Sequence, residues 1–468
     1  MHTPSSTHAH AEIERQTPLG FRAQDEIERA RDEADVVRAI AAYTFFYPSV
    51  SLEGVLNGQR EAGAEDNKHA VLIAGAPRHV LFTGNSDTPY LGSVLDLQRF
   101  GPAVIELPPG PYVGIVNDHH FRFIHDMGLA GPDAGRGGKH LILPPDSRQV
   151  TPDYHVAHAN THKLLIGIRA LPNDGDLAGA VEALQRVKIY PLAEAADTAA
   201  VEILNLTEHR IDLTCLRWET NIRFWDKLHK VLDEEPVVEE FRPMYGLLAT
   251  LGIEKGKAFA PDARMKSILD RAAKIGRNQL LDAGFASRRG DRRVWHDRNW
   301  EWIALRSENG DFEAASGIDI EARNRWFSQA IGASPAMFRR TPGAGSLYWL
   351  GLRDQHGAYL DGSKTYKLTV PQPVPAKLFW SITLYDAVTR SQLQTSQERA
   401  ALRSRFELKG QTDSAALELY FGPKAPPGKA AHWLQTLPGK GFFAYFRIYG
   451  PEAAAFAGTW KPGDFERI

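Results

Sequence analysis

Short apolar segments separated by turn residues constrain this chain more than any other feature. Four strand candidates lie between residues 79 and 116, and only a few residues separate each one from the next. The turn Pro108-Pro109-Gly110-Pro111 follows one of them and cannot continue a ladder of hydrogen bonds, because proline lacks a backbone N–H. Helices do not alternate regularly with these strands. The pattern therefore favours antiparallel sheets and disfavours a doubly wound parallel sheet.

The rest of the chain changes between helical and strand-rich regions. Helical spacing of apolar residues predicts helices over 25–46 and 51–61, and the first should end at Tyr47 because the residue before proline disfavours the α region. Apolar faces predict three more helices in the middle of the chain, over 212–232, 241–251 and 262–281. A further strand is predicted over 163–170, before these helices, and strand patterns return after them, over 346–352, 366–370, 378–384, 416–421 and 442–449.

These patterns predict an α+β, mainly β fold, with two antiparallel β-sandwich-like modules and a helical segment between them. The predicted division has four parts. They are a disordered or extended arm over 1–24, an N-terminal β-rich module with leading helices over 25–195, a helical middle segment over 196–330, and a C-terminal β-sandwich module over 331–468.

Composition excludes several classes of protein. The formal net charge is −2, so nothing in the charge balance indicates binding to nucleic acid or to an anionic membrane. No apolar run is long enough to predict a membrane span. The single cysteine, Cys215, has no partner for an internal disulfide, and the polar N-terminus lacks the apolar core of a signal peptide. We therefore expect a cytoplasmic protein.

Metal-capable side chains concentrate after the strand that ends near Val116. They are Asp118, His119, His120, His125 and Asp126. Alternate residues of a strand share a face, so Asp118 and His120 are candidate ligands of a divalent metal, the candidate cofactor. The run matches no standard zinc signature. The alternative is a polar network at the strand end, with histidines hydrogen-bonded to carboxylates.

A second polar group lies in the loop before Tyr90. Asp87 or His125 is the candidate general base, and four neighbours are candidate substrate-binding residues: Asn85, Ser86, Thr88 and Tyr90. These residue types also close turns through bonds between side chain and backbone, so a structural role explains them equally well.

Three further candidates for substrate binding are Lys139, Trp380 and Tyr385. Lys139 ends a glycine-rich stretch that begins at Gly131. That stretch lacks the ending of a phosphate-binding loop, and a strand pattern follows it, so we expect a tight ordered turn. Aromatic residues on strands, such as Trp380 and Tyr385, are more often part of a core.

Six short stretches resemble a known pair of domains. Those in the N-terminal half are Thr83-Gly84-Asn85-Ser86-Asp87-Thr88-Pro89-Tyr90, Asn117-Asp118-His119-His120 and 131–139, and those in the last third are 359–363, 379–386 and Gly458-Thr459-Trp460-Lys461-Pro462. The first group resembles the bacterial domain of unknown function number twelve fifty-four, and the second resembles its usual companion, number twelve fourteen. The resemblance implies two β-rich modules with helices between them and a homo-oligomer. It implies no reaction.

The leading functional hypothesis is a metal-assisted enzyme that acts on a small organic molecule in the N-terminal module. The alternative is a non-catalytic oligomer that binds a small molecule or serves as a scaffold. We also expect a homodimer or homotetramer, because interface cores are rich in aromatic residues and arginine. The candidate interface residues are Trp295, Trp300, Trp302, Arg325, Trp326 and Phe327.

Overall fold

The computed structural model describes residues 20–147, 152–194, 200–306, 311–343, 345–411 and 414–468. Within these ranges the chain has the expected α+β, mainly β fold. Most of the arm expected over residues 1–24 lies outside the described residues. No helix in the described ranges has both the length and the apolar composition that a bilayer crossing requires.

The N-terminal helix, α1 (Gln24–Glu61), runs without a break and contains Pro48. The two helices predicted over 25–46 and 51–61 are therefore one helix, and the predicted break at the proline is wrong. Residues 42–56 are buried on every face of α1. An interior proline costs a helix about 3 kcal/mol, and packing from all sides outweighs that cost here.

Further helices pack around α1 or lie against strands of the β-modules. They are α2 Leu97–Phe100, α3 Leu177–Gln185, α4 Arg223–Glu234, α5 Arg242–Thr250, α6 Ala263–Phe285, α7 Ile320–Phe327, α8 Pro335–Phe338 and α9 Ala453–Ala457, with 3-10 turns at Leu216–Trp218, Glu239–Phe241, Gly290–Arg292 and Ala430–His432. Helices α4 to α7 all contact α1.

The helix predicted over 212–232 starts later in the structure than expected. It begins only at Arg223, because Ile211 and Asp212 pair with a strand and Cys215 adopts a left-handed φ of 46°. Asp212 Oδ1 accepts hydrogen bonds from the backbone N–H groups of Thr214 and Cys215 and so closes a turn there. Local side-chain bonds of this kind compete with helix formation.

Two sheets face each other in the N-terminal module. Its strands are β1 His69–Ile73, β2 His79–Val80, β3 Tyr90–Asp96, β4 Ala103–Leu107, β5 Tyr112–Asp118, β6 Phe123–Gly128, β7 Gly138–Leu143, β8 His155–His158, β9 Lys163–Ala170, β10 Lys188–Pro191, β11 Glu202–Asn205 and β12 Ile211–Asp212. The first sheet has the order β11-β1-β3-β9-β5-β6, and the second has the order β10-β4-β7-β8. Pairing is antiparallel except for β11 and β8 at the sheet edges and for the short β2–β12 pair. Apolar residues of both sheets form one core between them.

The C-terminal strands form a second pair of sheets. They are β16 Ser346–Gly351, β17 Tyr366–Pro371, β18 Ala376–Asp386, β19 Ala401–Arg403, β20 Ala416–Gly422, β21 Trp433–Gln435, β22 Phe442–Pro451 and β23 Glu466–Arg467, preceded by β13 Trp300–Trp302, β14 Glu313–Ala314 and β15 Gly317–Ile318. One sheet has the order β13-β16-β22-β18-β19, and the other has the order β21-β20-β17-β23. A second core lies between them.

A third core joins the helices to both β-modules. It contains residues of α1 and of the middle helices together with Leu165 from the first module and Leu350 and Tyr445 from the second. The helical layer thus packs against both modules as well as connecting them in sequence. The boundaries expected at residues 195 and 330 remain a prediction.

The aromatic residues assigned to an interface lie inside the single chain. Trp300 and Trp326 are buried, and the Arg325 guanidinium binds Glu301 Oε2 (2.8 Å) and the carbonyl oxygen of Gly284 (2.9 Å). Contacts of this kind attach the helical layer to the strands of the C-terminal module. The expectation of a homo-oligomer therefore loses its main argument from sequence and remains a prediction.

Candidate functional site

A cavity of about 710 Å³ lies between the two β-modules. One wall is the first sheet of the N-terminal module, and the opposite wall is the β16–β22 part of the C-terminal module. The segment over 330–343, which carries α8, closes a third side together with Gly345. Most of the lining is apolar, and its polar groups come from both modules.

Strand registers explain which side chains reach the cavity from the N-terminal module. Tyr90, Arg169 and Val113 lie side by side across β3, β9 and β5. Two residues farther along, Gly92, Gly167, Ile115 and Asp126 form the next row. All of these residues line the cavity. Their sequence neighbours, such as Tyr112 and Ile168, point into the module core instead, as the two-residue period of a strand requires.

Glycines make room in this wall. Gly167 has an ordinary strand conformation, and a Cβ placed there would meet only Ile115 Cγ1, at 3.6 Å. A Cβ at the neighbouring Gly92 would approach Gln59 Nε2 at 3.3 Å. The two adjacent glycines therefore leave a shallow depression in the middle of the wall, beside Arg169.

The opposite wall follows the same rule. Tyr445, Arg447 and Tyr449 alternate along β22 and line the cavity, whereas Ala444, Phe446 and Ile448 enter the second core. Tyr348 lies beside Arg447 on β16. This alternation brings three tyrosines and an arginine from strands of the C-terminal module to face Tyr90 and Arg169.

Arg169 is partly buried and reaches into the cavity. Its guanidinium lies 5.9 Å from the centre of the Tyr90 ring, and no hydrogen bond or ion pair joins it to any of the described residues. Burial lowers its pKa, the Tyr348, Tyr90 and Tyr449 side chains raise it, and the net shift is upward. The group therefore stays charged.

Arg447 is held by the C-terminal module and by the loop before Tyr90. It is only 2% exposed. Its Nη1 donates to Thr383 Oγ1 (3.2 Å) and to Tyr385 Oη (2.6 Å), and its Nη2 donates to the Thr83 carbonyl oxygen (2.8 Å). Nε has no partner among the described residues. The pKa of Arg447 is raised, because the neighbouring groups that include Tyr385 and Asp87 outweigh its burial.

Asp87, the candidate general base, lies behind this wall rather than in the cavity. Its carboxylate is 0% exposed. Oδ2 accepts hydrogen bonds from Ser381 Oγ (2.8 Å) and Tyr449 Oη (2.9 Å), and Oδ1 has no partner among the described residues. Burial and the Asp87 charge raise the pKa of Tyr449, so its hydroxyl remains a donor. Asp87 thus joins the N-terminal loop to two strands of the C-terminal module, and a catalytic role for it remains a prediction.

The candidate substrate-binding residues of this loop divide into two groups. Asn85 and Tyr90 line the cavity, and Asn85 Nδ2 donates to Tyr90 Oη (2.6 Å). Thr88 is fully buried, and its backbone N–H donates to Asn85 Oδ1 (3.2 Å). Ser86 donates to Gln392 Oε1 (2.6 Å) across the module boundary. Thr88 and Ser86 have the structural role expected for the loop, and substrate binding by any of the four residues remains a prediction.

Asp126 is the acidic group of the cavity wall. Burial raises the pKa of its carboxyl to about 6, although the Ser334 hydroxyl and Arg339 act in the opposite direction. Its Oδ1 has no hydrogen-bond partner among the described residues. A carboxyl in this state changes charge close to neutral pH.

The candidate metal ligands do not converge. Strand β5 ends at Asp118, and His120 lies in the following turn, so the strand alternation assumed for them does not apply. Asp118 Oδ1 accepts from the backbone N–H groups of His120 (2.8 Å) and Arg122 (2.9 Å), and Oδ2 pairs with Arg122 Nε (2.8 Å). In the described ranges no group of three or more His, Cys, Asp or Glu side chains is arranged to hold a metal ion.

The histidines bond to neighbouring polar groups instead. His119 Nδ1 lies 2.7 Å from Glu235 Oε1, and His120 Nδ1 lies 2.8 Å from Ser49 Oγ. Burial lowers the pKa of His120 to about 4. This geometry resembles the polar network that was the alternative to a metal site, and the metal itself remains a prediction without a ligand set.

His125, the other candidate base, points away from the cavity wall. Its Nε2 lies 2.9 Å from His140 Nδ1, and this contact connects β6 to β7 and hence the two facing sheets. Burial lowers the pKa of His125 to about 4 and that of His140 to about 3. Both rings are therefore neutral at physiological pH.

The remaining three candidates also lie outside the cavity lining. Lys139 is exposed and lies 3.9 Å from Glu106 Oε2. Trp380 belongs to the core of the C-terminal module, and Tyr385 donates to the Gly84 carbonyl oxygen (2.8 Å). The glycine-rich stretch before Lys139 is the expected tight turn, with positive φ at Gly135 and Gly137.

Sequence reasoning missed most of the polar cavity residues. They are Arg169, Tyr348, Tyr445, Arg447 and Tyr449. Asp126 was noted only as a metal-capable residue, and its place in the cavity wall was also missed. A signal was present, because Arg447 is the single charged residue of the predicted strand over 442–449, and Arg169 is separated from Lys163, the other charged residue of its predicted strand, by five uncharged residues. An isolated charge in such a strand is expensive to bury unless it faces a partner, a cavity or solvent.

Comparison with known proteins agrees with the resemblance found in the sequence. Residues 68–191 match the family described as "Protein of unknown function (DUF1254)", and residues 345–453 match "Protein of unknown function (DUF1214)". No curated protein matches the chain.

Two solved structures are similar to the fold. The VPA0106 protein from Vibrio parahaemolyticus has a TM-score of 0.58 at 16% identity, over 93% of this chain and 100% of that one. A putative uncharacterized protein from Burkholderia cenocepacia has a TM-score of 0.42 at 12% identity, over 94% of each chain. At this identity the first likeness concerns the fold alone. Together, the two family matches show that the chain carries a DUF1254 domain followed by a DUF1214 domain, in the order that the sequence implied.

Proposed function

We propose that this protein binds a small, mostly apolar organic molecule in the cavity between its two β-modules. The observation that carries the proposal is the cavity itself, with its volume of about 710 Å³ and its contributions from both modules. Sites for small molecules commonly measure about 300–1,000 Å³ and combine an apolar lining with a few convergent polar groups. This cavity has both properties.

The depression at Gly92 and Gly167 supports the proposal further. Strands rarely place two glycines side by side, because each glycine weakens the strand and leaves no side chain to pack. Here the missing side chains leave space directly beside Arg169. Space next to a charged group in a buried wall is what a bound molecule would fill.

The hypothesis of a metal-assisted enzyme has less support. It requires Asp118 and His120 to share an ion, whereas the oxygen atoms of Asp118 bind backbone amides and Arg122. Neither residue lines the cavity between the modules. Binding of a small molecule is therefore the proposed function, and a reaction on that molecule is not part of the proposal.

The proposal is tested with a fluorescent probe and with a substitution that fills part of the cavity. The neutral fluorescent probe N-phenyl-1-naphthylamine should bind the full-length protein saturably. Gly167→Val places two methyl groups in the cavity with only Ile115 nearby, and we expect it to weaken binding at least about tenfold, the loss expected when roughly 1.4 kcal/mol of contact is removed.

Gly317→Val is the matched control. A Cβ at Gly317 meets nothing within 4 Å, and this glycine does not line the cavity. Both variants should keep the far-ultraviolet circular dichroism spectrum of the parent. Absence of saturable binding by the parent, or equal affinity of the Gly167→Val variant and the parent, would overturn the proposal.

A further inference from the structure

Hydrogen-bond donors without partners concentrate at one place in the cavity. Arg169 brings a guanidinium that makes no hydrogen bond or ion pair with the described residues. Arg447 brings an Nε that is buried and unpartnered. A buried donor that bonds to nothing costs free energy, and the cost is larger for a charged group. An acceptor from outside the chain would remove this cost at both residues.

The charges around these two arginines do not balance. Asp87 is the carboxylate that acts on Arg447, yet no ion pair within 4.0 Å joins the two, because Asp87 Oδ2 bonds to Ser381 and Tyr449. Asp126 lies two strands away from Arg169 in the next row. Two guanidiniums and one nearby carboxylate leave an excess of one positive charge. An excess of this size in a buried site favours a ligand with a single negative charge.

The tyrosine hydroxyls around the arginines offer further donors. Tyr90 Oη accepts two hydrogen bonds from Asn85, one from the backbone N–H (3.1 Å) and one from Nδ2 (2.6 Å), so its own proton is free to donate. Tyr348 is partly buried, lies 5.6 Å from Arg447 measured between ring centre and guanidinium carbon, and its hydroxyl makes no hydrogen bond with the described residues. Each of these four side chains therefore has a free donor, and the two guanidiniums offer no acceptor.

From these contacts we infer that the bound molecule is an organic monocarboxylate, with its carboxylate between Arg169 and Arg447 and its hydrocarbon body along the apolar part of the cavity. The inference rests on the proposed function, since it names the class of molecule that the cavity takes. Guanidinium groups bind carboxylates with two parallel hydrogen bonds, and Tyr90 and Tyr348 can donate to the remaining lone pairs. The apolar lining accommodates the hydrocarbon chain by the ordinary hydrophobic effect.

Calorimetric titration of the full-length protein with three ligands of equal chain length tests this inference. The ligands are decanoate, decanol and decyl phosphate, each below its micelle concentration. We expect decanoate to bind at least about tenfold more tightly than decanol, because a hydrogen bond to a charged group contributes about 1.5–3 kcal/mol. Decyl phosphate should bind more weakly than decanoate, since its second charge has no partner in the cluster.

Two variants locate the carboxylate. Arg169→Gln should remove the preference for decanoate over decanol while decanol affinity stays within about threefold of the parent. Arg271→Gln removes a positive charge from the exposed face of α6 and should change neither affinity. A parent-like melting temperature for both variants shows that they are folded.

The possible results separate the inference from the proposal it rests on. Equal binding of decanol and decanoate would overturn the inference that the ligand is a carboxylate, although the proposed apolar binding site would remain. A preference for decyl phosphate, or a preference for decanoate that survives in the Arg169→Gln variant, would also overturn it. Failure of all three ligands together with the neutral probe would overturn the binding function itself.

Discussion

Asp87 and Tyr449 lie 362 positions apart in the chain, and their side chains share a hydrogen bond of 2.9 Å. Tyr449 belongs to β22, the central strand that also carries Arg447. Asp87 belongs to the polar loop of the other module. This contact fixes the loop against the wall of the cavity, so the stability of the chain and the shape of the site depend on the same bond.

Replacement of Asp87 should therefore affect the fold. Its carboxylate is 0% exposed and receives hydrogen bonds from Ser381 and Tyr449. We expect Asp87→Ala to lower the free energy of unfolding by about 2–4 kcal/mol, because it leaves buried donors and Arg447 without compensation. Urea unfolding measures this loss. Asp153→Ala, at an exposed position, is the control, and equal midpoints for the two variants would contradict the expectation.

Acid should destabilise the protein through its buried histidines. Burial lowers the pKa of His120 and His125 to about 4 and that of His140 to about 3, from an ordinary value of 6.5. Between pH 6.5 and about 4 the unfolded chain therefore binds more protons at these groups than the folded chain, and stability falls as the pH falls. Scanning calorimetry from pH 7.5 to 4.5 should show a decreasing melting temperature. A constant value from pH 6.5 to 4.5 would be inconsistent with neutral buried rings.

Asp126 should have the opposite effect on the pH dependence of stability: its contribution makes the protein less stable as the pH rises. Burial raises its pKa from 3.8 to about 6, so between these two pH values the folded chain holds a proton that the unfolded chain has already lost, and stability falls as the pH rises through this range. Asp126→Asn should therefore raise stability at pH 7.5 by on the order of 1 kcal/mol and by about half as much at pH 5. Melting temperatures at the two pH values test this. A stabilisation of equal size at both would show that the charge is not the cause.

The buried tryptophans predict the outcome of a test for assembly. Trp326 is buried, and its Nε1 donates to the Gly332 carbonyl oxygen (2.9 Å) while its ring packs against Phe338 at 4.5 Å. Trp326→Glu should unfold the chain, because the loss of a buried tryptophan costs about 3–5 kcal/mol before the cost of the charge is added. Far-ultraviolet circular dichroism would show loss of the fold. A folded variant of lower mass in light scattering would instead place Trp326 at an interface.

Local patterns predicted the strands well because a strand is decided by neighbours two residues apart. The segments predicted over 163–170 and 442–449 are strands in the structure, as β9 and β22. The same alternation places Arg169 and Arg447 on the strand faces that line the cavity. Which two faces oppose each other was not visible, because that depends on packing between segments far apart in sequence.

The helix break at Pro48 was inferred from a short window of sequence. It is wrong because packing around α1, which comes from segments far outside that window, outweighs the proline. The metal pair Asp118–His120 was inferred in the same way and remains a prediction. In the structure the Asp118 carboxylate binds backbone amides of the turn after β5.

The hydrogen bond between Asp87 and Tyr449 can form only late in the synthesis of the chain. A ribosome completes the polar loop long before it reaches β22, so the Asp87 carboxylate remains in water while most of the chain is still being made. The cavity then closes in one late step, when the strand that carries Tyr449 arrives. A nascent chain released before that point would lack Tyr445, Arg447 and Tyr449, and the cavity would be open where these side chains lie in the folded protein.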